Sequence, residues 1–181
     1  MEYPYSLSDY VNQLKNFIDK HGLIKPHVVA HSFGGRVALK TAYYNPNLLG
    51  KLVLTGCAGL KPKRTLLKSI KKVTIKMIKP FLSEKTRLKF YSPDYLALNQ
   101  VMRQSFIKIV NEHLDYTLSK ISNESFIIFG KNDKETPVYM AKRLNKGLKN
   151  SSLYIVDGAG HFCFIDKPIN FNTEVREFLL S

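Results

Sequence analysis

His27-Val28-Val29-Ala30-His31-Ser32-Phe33-Gly34-Gly35-Arg36 runs from a short apolar strand, through a turn, into a helical stretch that continues to Tyr44. A serine at a strand-to-helix turn, with small residues two positions to either side, has the layout of a nucleophile elbow. Ala30 and Gly34 are those small residues, and they predict a close approach of strand and helix at which a larger side chain would clash. Such a turn strains the serine backbone and aims its Oγ outward. Gly35 opens the helix on this reading, and the N–H groups at the helix start favour developing negative charge. The commoner pattern is Gly-x-Ser-x-Gly, from which Ala30 departs mildly.

The segments around the turn alternate between the two regular periods. Ser6-Leu7-Ser8-Asp9 offers helix N-caps before Val11, Leu14, Phe17 and Ile18, and Gly22 closes that helix. Leu52-Val53-Leu54 reads as a strand followed by a Gly56–Gly59 loop. Phe126-Ile127-Ile128-Phe129 and Leu153-Tyr154-Ile155-Val156 are two more, separated by a helix from Val138 to Gly147. A last helix follows Pro168, with Phe171, Val175, Phe178 and Leu179 as its apolar side. Short, almost wholly apolar strands alternating with helices predict an α/β fold, a mostly parallel sheet covered by helices. Residues 61–122 break the alternation: they are helical in period, lysine-rich and without a strand, and read as an insertion between core segments 1–60 and 123–181.

A serine hydroxyl needs a base to take its proton and a third group to orient that base. Asp133, in Gly130-Lys131-Asn132-Asp133, follows a strand end and is the preferred acid; Asp157, at the next strand end, is its rival. His161, in Gly158-Ala159-Gly160-His161-Phe162, is the candidate base, carried on a loop of small residues. His31 adjoins Ser32 on the turn, so its ring should point away from Oγ. His21 and His113 are read onto helices, without partners.

Length and composition narrow the classes. The chain has 181 residues, 44% of them hydrophobic, enough for one domain with a substantial core. No apolar run approaches the roughly 20 residues of a membrane span. Met1-Glu2-Tyr3-Pro4 lacks the layout of a signal peptide, and Cys57 with Cys163 makes no disulfide framework, so a cytoplasmic location is expected. The formal charge is +14, from 28 basic and 14 acidic side chains. With no nucleic-acid motif and mostly lysine, a solvated surface is expected rather than a nucleic-acid partner. Thr65 to Leu82 is basic and amphipathic, a pattern that would also suit docking to an anionic membrane.

Taken together, 27–44, 52–56, 126–137 and 156–168 resemble the α/β-hydrolase superfamily, in its capped, esterase-like group. The order Ser, acid, His agrees with that family. The resemblance implies Ser32 as nucleophile, Asp133 as acid, His161 as base and the Phe33 backbone N–H as an oxyanion donor, with 61–122 as a helical cap over the site. It implies a hydrolase of small ester-like or acyl substrates, carboxylesterase-like, needing no metal or organic cofactor; carbon–carbon hydrolases and acyltransferases share the elbow. Tyr91, Met102, Phe106 and Phe162, with Phe33, are candidate pocket residues. The family's pattern usually begins earlier, with further strands and a second oxyanion donor. The expectation is therefore an N-terminally truncated or split hydrolase with four strands and a free edge on the elbow strand. Its activity would depend on a complementing partner, and the edge would favour self-association.

Overall fold

A computed structural model describes residues 3–63 and 93–181. Tyr91 and the basic stretch from Thr65 to Leu82 lie outside the described residues. In chain order the elements are α1 (Leu7–Lys20), β1 (Val28–His31), α2 (Phe33–Tyr44), β2 (Leu52–Thr55), α3 (Pro93–Ala97), α4 (Gln100–Asn111), β3 (Ser125–Gly130), α5 (Val138–Gly147), β4 (Ser151–Val156), α6 (Cys163–Asp166) and α7 (Pro168–Leu180).

Local chemistry sets the element ends. Ser6 caps α1 through a capping box: its hydroxyl accepts from the Asp9 N–H, and the Asp9 carboxylate accepts from the Ser6 N–H at 2.6 Å. Asn99 caps α4 by accepting from the Met102 N–H at 2.9 Å, and Pro168 starts α7.

The sheet is parallel, in the order β1-β2-β3-β4, with Val28 opposite Leu52, Leu52 opposite Ser125 and Ser125 opposite Ser151. Every residue of β2 and β3 is buried, as expected for strands covered on both faces. Their alternation divides the core. Leu52, Leu54, Ile127 and Phe129 pack with Leu39, Ala42 and Leu144 on one side, while Val53, Phe126, Ile128 and Val156 pack with Phe171 and Val175 on the other. Among the described residues β1 pairs only with β2, and Val29 is half exposed on that edge.

Two expectations shift. Leu114, Leu118 and Ile121 are buried in the main core cluster, so the chain rejoins the core before Ser122. Their apolar period belongs to a loop and a short 3₁₀ turn packed under α2 and α5, which helical spacing alone does not distinguish from a cap helix. His113 lies beyond the end of α4, and His21 caps α1 with its ring 4.4 Å from Phe17.

Candidate active site

Because all four strands run the same way, the residues after β1, β2, β3 and β4 gather at one end of the sheet, where open α/β folds bind ligands. Ser32 follows β1 with φ 49° and ψ −109°, a conformation costly for a non-glycine residue. The end of β2 holds it there: the Ser32 N–H donates to Thr55 O at 3.0 Å, and the Ala58 N–H donates to Ser32 O at 3.1 Å. The expected close contact lies one residue further along than the motif suggests. A Cβ on Gly34 would sit 3.8 Å from the Ala30 Cβ, an ordinary contact, whereas one on Gly35 would collide with Cys57. The helix begins at Phe33, so its N–H, in the first turn, has no partner within α2.

Asp133 follows β3 with its side chain fully buried. One carboxylate oxygen accepts from the N–H groups of Glu135 and Thr136 at 2.9 and 2.8 Å. The other accepts from the Thr136 hydroxyl at 2.7 Å and from His161 Nδ1 at 2.8 Å. Burial pushes the Asp133 carboxyl up, but the hydrogen bonds from His161 and Thr136 outweigh it and hold the group below its ordinary 3.8. The rival, Asp157, is mostly exposed and pairs with Lys131 at 2.6 Å.

The His161 loop fits closely against both neighbouring strand ends. The N–H groups of Lys131 and Asn132 donate to Val156 O and Ala159 O, each at 2.9 Å. A Cβ on Gly130 would strike the carbonyl oxygens of Ala159 and Gly160. Gly56, at φ +49°, lies under the imidazole, where a Cβ would come within 3.1 Å of the ring. His31 packs on the base loop: its Nε2 lies 3.1 Å from His161 O, and its ring is 4.6 Å from the His161 ring. Burial pushes His31 below its ordinary 6.5, against the opposing pull of its hydrogen bond to the His161 carbonyl.

Asp133 and His161 are thus brought together, while Ser32 is not bonded to them. Its hydroxyl has no hydrogen-bond partner among the described residues, and His161 Nε2 faces the Glu135 carboxylate at 3.4 Å. Ser32 instead borders a cavity of about 360 Å³, walled by Tyr10, Phe33, Leu98, Met102 and Phe106. Met102 and Phe106, two of the candidate pocket residues, border this cavity. Phe162 does not: it precedes the short helix α6, and that turn sets its ring against His31 and His161, at 5.1 and 5.3 Å.

Motif reading missed Thr136, Glu135 and Arg36. Thr136 was signalled by an Asp with a hydroxyl residue three positions on, a turn that folds back on its carboxylate. Arg36 was signalled by a cation inside an apolar helical pattern. It is buried, and Nη1 donates to Ile109 O and Glu112 O at 2.9 and 2.7 Å, while Lys40 pairs with the Glu112 carboxylate at 2.5 Å. The elbow helix is thereby anchored to the end of α4. Among the described residues no His, Cys, Asp or Glu cluster could hold a metal ion, and no helix is long and apolar enough to cross a membrane.

Comparison with known proteins adds four findings. The family model described as alpha/beta hydrolase family matches residues 2–174. The 2-hydroxy-6-oxononadienedioate/2-hydroxy-6-oxononatrienedioate hydrolase 1 of Dechloromonas aromatica (strain RCB) is 27% identical over 190 residues, covering 92% of this chain; the chain spans 66% of that relative's length. Among solved structures, MGS-MChE2, an alpha/beta hydrolase enzyme from the metagenome of sediments of the Mar Chica lagoon, Morocco, is 26% identical. It superposes with a TM-score of 0.69, over 96% of this chain and 69% of its own. The esterase EaEST of Exiguobacterium antarcticum, 21% identical with a TM-score of 0.74 over 98% of this chain and 75% of its own, shares the fold.

Proposed function

The chain belongs to the alpha/beta hydrolase family, and from that premise we propose a serine hydrolase. Ser32 is its nucleophile, His161 its general base, and Asp133 the group that orients the imidazole. The observation that carries this reading is the 2.8 Å hydrogen bond between the buried Asp133 carboxylate and His161 Nδ1. It fixes which imidazole nitrogen is left to handle a proton, at the sheet end where Ser32 opens onto a cavity. As Ser32 Oγ attacks the carbonyl carbon of an ester-like substrate, its proton passes to His161 Nε2. The Phe33 N–H and the start of α2 receive the developing oxyanion. The adduct then collapses, the bond to the leaving group breaks, and His161 returns the proton to that group. Water attacks the acyl-enzyme by the same route, releasing the acid and restoring Ser32. For Nε2 to serve Ser32, Glu135 has to withdraw; its side chain is 69% exposed and free to swing into solvent.

A second reading, carbon–carbon bond hydrolysis of a 2-hydroxy-6-oxodienedioate, is favoured by the name of the Dechloromonas relative and uses the same three residues. A fluorophosphonate probe tests the shared core. It is expected to label Ser32 in the folded protein and not to label Ser32→Ala. A folded sample that takes no label would defeat both readings. Parallel assays of a p-nitrophenyl ester and a 2-hydroxy-6-oxodienedioate decide between them.

A further inference from the structure

We propose that Glu135 is a self-inhibitory latch on His161: its carboxylate holds the imidazole nitrogen that Ser32 needs, so the protein rests with its base disengaged from its nucleophile. The consequence for turnover rests on the hydrolase reading above; the hold on His161 does not.

One turn of chain grips both nitrogens of the ring. Asp133 Oδ2 lies 2.8 Å from His161 Nδ1, and Glu135 Oε2 lies 3.4 Å from Nε2. The Asp133 carboxylate sets up the second contact as well as the first. Its Oδ1 accepts from the N–H groups of Glu135 and Thr136, which folds the chain back on the acid and leaves the Glu135 side chain within reach of the ring. The Glu135 contact is attractive only while Nε2 carries a proton, since a carboxylate and an unprotonated ring nitrogen are both acceptors. A proton on Nε2 leaves no room there for the proton of Ser32. The Ser32 hydroxyl has no hydrogen-bond partner among the described residues, which is the arrangement expected when Glu135 wins the competition for Nε2.

The two carboxylates differ in how firmly they are held. The Asp133 side chain is fully buried and accepts four hydrogen bonds. The Glu135 side chain is 69% exposed, and among the described residues its carboxylate pairs with His161 alone. A single ion pair with one partner in water is weak, and salt screens it. Glu135 also borders a cavity of about 220 Å³ that shares Arg36, Ala58 and Val110 with the Ser32 cavity, so its side chain has space to leave Nε2. Asp133 is therefore a fixed part of the site, and Glu135 a removable restraint on it.

Glu135→Ala removes the restraint and keeps the backbone N–H that the Asp133 carboxylate accepts from, so the acid and base stay paired. Two rates test the latch in this variant and in the wild type. The first is carbethoxylation of His161 by diethylpyrocarbonate, read by peptide mapping with the exposed His21 as internal standard. Nδ1 is bonded to Asp133, so the reagent needs an unprotonated Nε2, and the readout needs no turnover. The second is the rate at which an uncharged fluorophosphonate labels Ser32. Both are expected to be about two- to fivefold faster in Glu135→Ala at low salt, the usual worth of a partly exposed ion pair. Raising sodium chloride to about 0.5 M is expected to speed the wild type toward the variant and to leave the variant unchanged. Equal or slower carbethoxylation of His161 in Glu135→Ala, or a wild-type rate indifferent to salt, overturns the latch. Equal Ser32 labelling in the two proteins, with equal carbethoxylation, overturns the latch and leaves the hydrolase reading standing. Labelling absent from both proteins defeats the hydrolase reading, and the His161 rates still decide whether Glu135 holds Nε2.

Discussion

Asp133 and His161 stand at the ends of β3 and β4, whereas Ser32 stands at the end of β1, on the sheet edge. On the first side the acid and base are densely engaged: four hydrogen bonds converge on the Asp133 carboxylate, and the His161 loop is tied to β3 at Lys131 and Asn132. On the second side the backbone is held in strain, and the hydroxyl it presents has no partner among the described residues. On the proposed mechanism the difference separates two tasks. The base must keep one tautomer and one orientation, so it is over-determined. The nucleophile must exchange partners during the reaction, so its backbone is fixed and its hydroxyl left open to the cavity.

Breaking either side should cost activity unequally. On the proposed mechanism Ser32→Ala removes the attacking oxygen, and it is expected to lower kcat on the order of 10⁶-fold, as in other enzymes of this chemistry. Asp133→Asn keeps the shape but can present an N–H to Nδ1, favouring the wrong tautomer; a loss of about 10⁴-fold is expected. Burst and steady-state kinetics on a p-nitrophenyl ester would measure both. An Asp133→Asn variant as active as the wild type would mean that the base side has no orienting role.

The two sides also differ in how far the sequence discloses them. The elbow is local: Ala30, Ser32 and Gly34 are consecutive alternate residues at a strand end, and strand and helix periods flank them, so the turn is legible. The four parallel strands were readable for the same reason, since β2 and β3 are apolar at nearly every position. The surroundings of the acid and the base depend on approaches across the sheet. That Gly130 touches the carbonyls of Ala159 and Gly160, or that Thr136 reaches the carboxylate and imidazole together, is set by strand neighbours far apart in the chain. The direction of Phe162 is set on the same ground, by the short helix that follows it, which turns its ring against His31 and His161.

Two glycines sharpen the contrast in stability. Gly130→Ala puts a methyl group into the Ala159 and Gly160 carbonyls, rigid backbone that cannot rotate aside. It is expected to cost about 1–3 kcal/mol, the usual range for overpacking. Gly34→Ala meets only the Ala30 Cβ at 3.8 Å, and it replaces a helical glycine. It is expected to be neutral, or stabilising by about 0.5 kcal/mol. Urea midpoints of the two variants test this. A larger loss from Gly34→Ala would place the tight contact where the motif, not the structure, puts it.

The smallest expected effect is the response to mild acid, and it comes from His31 and His113, both held below 6.5 by burial, rather than from Asp133. Asp133 is held below 3.8 in the folded protein. The stability it contributes is present above the ordinary carboxylate value and is lost only as pH falls through its lowered folded value, well into the acid range. His31 is held below 6.5 by burial. Below 6.5 the unfolded chain takes up a proton that the folded protein still refuses, so stability declines as pH falls from 6.5 until His31 itself protonates. Between neutral pH and about pH 5 the urea midpoint should therefore drop in the wild type, and drop less in His31→Gln. His31 reaches the carbonyl of His161 rather than its imidazole nitrogens, so the variant should leave the base able to act while removing this step. An unchanged acid response in His31→Gln would move the step to another group and leave the base side of the site rigid down to the range where Asp133 titrates.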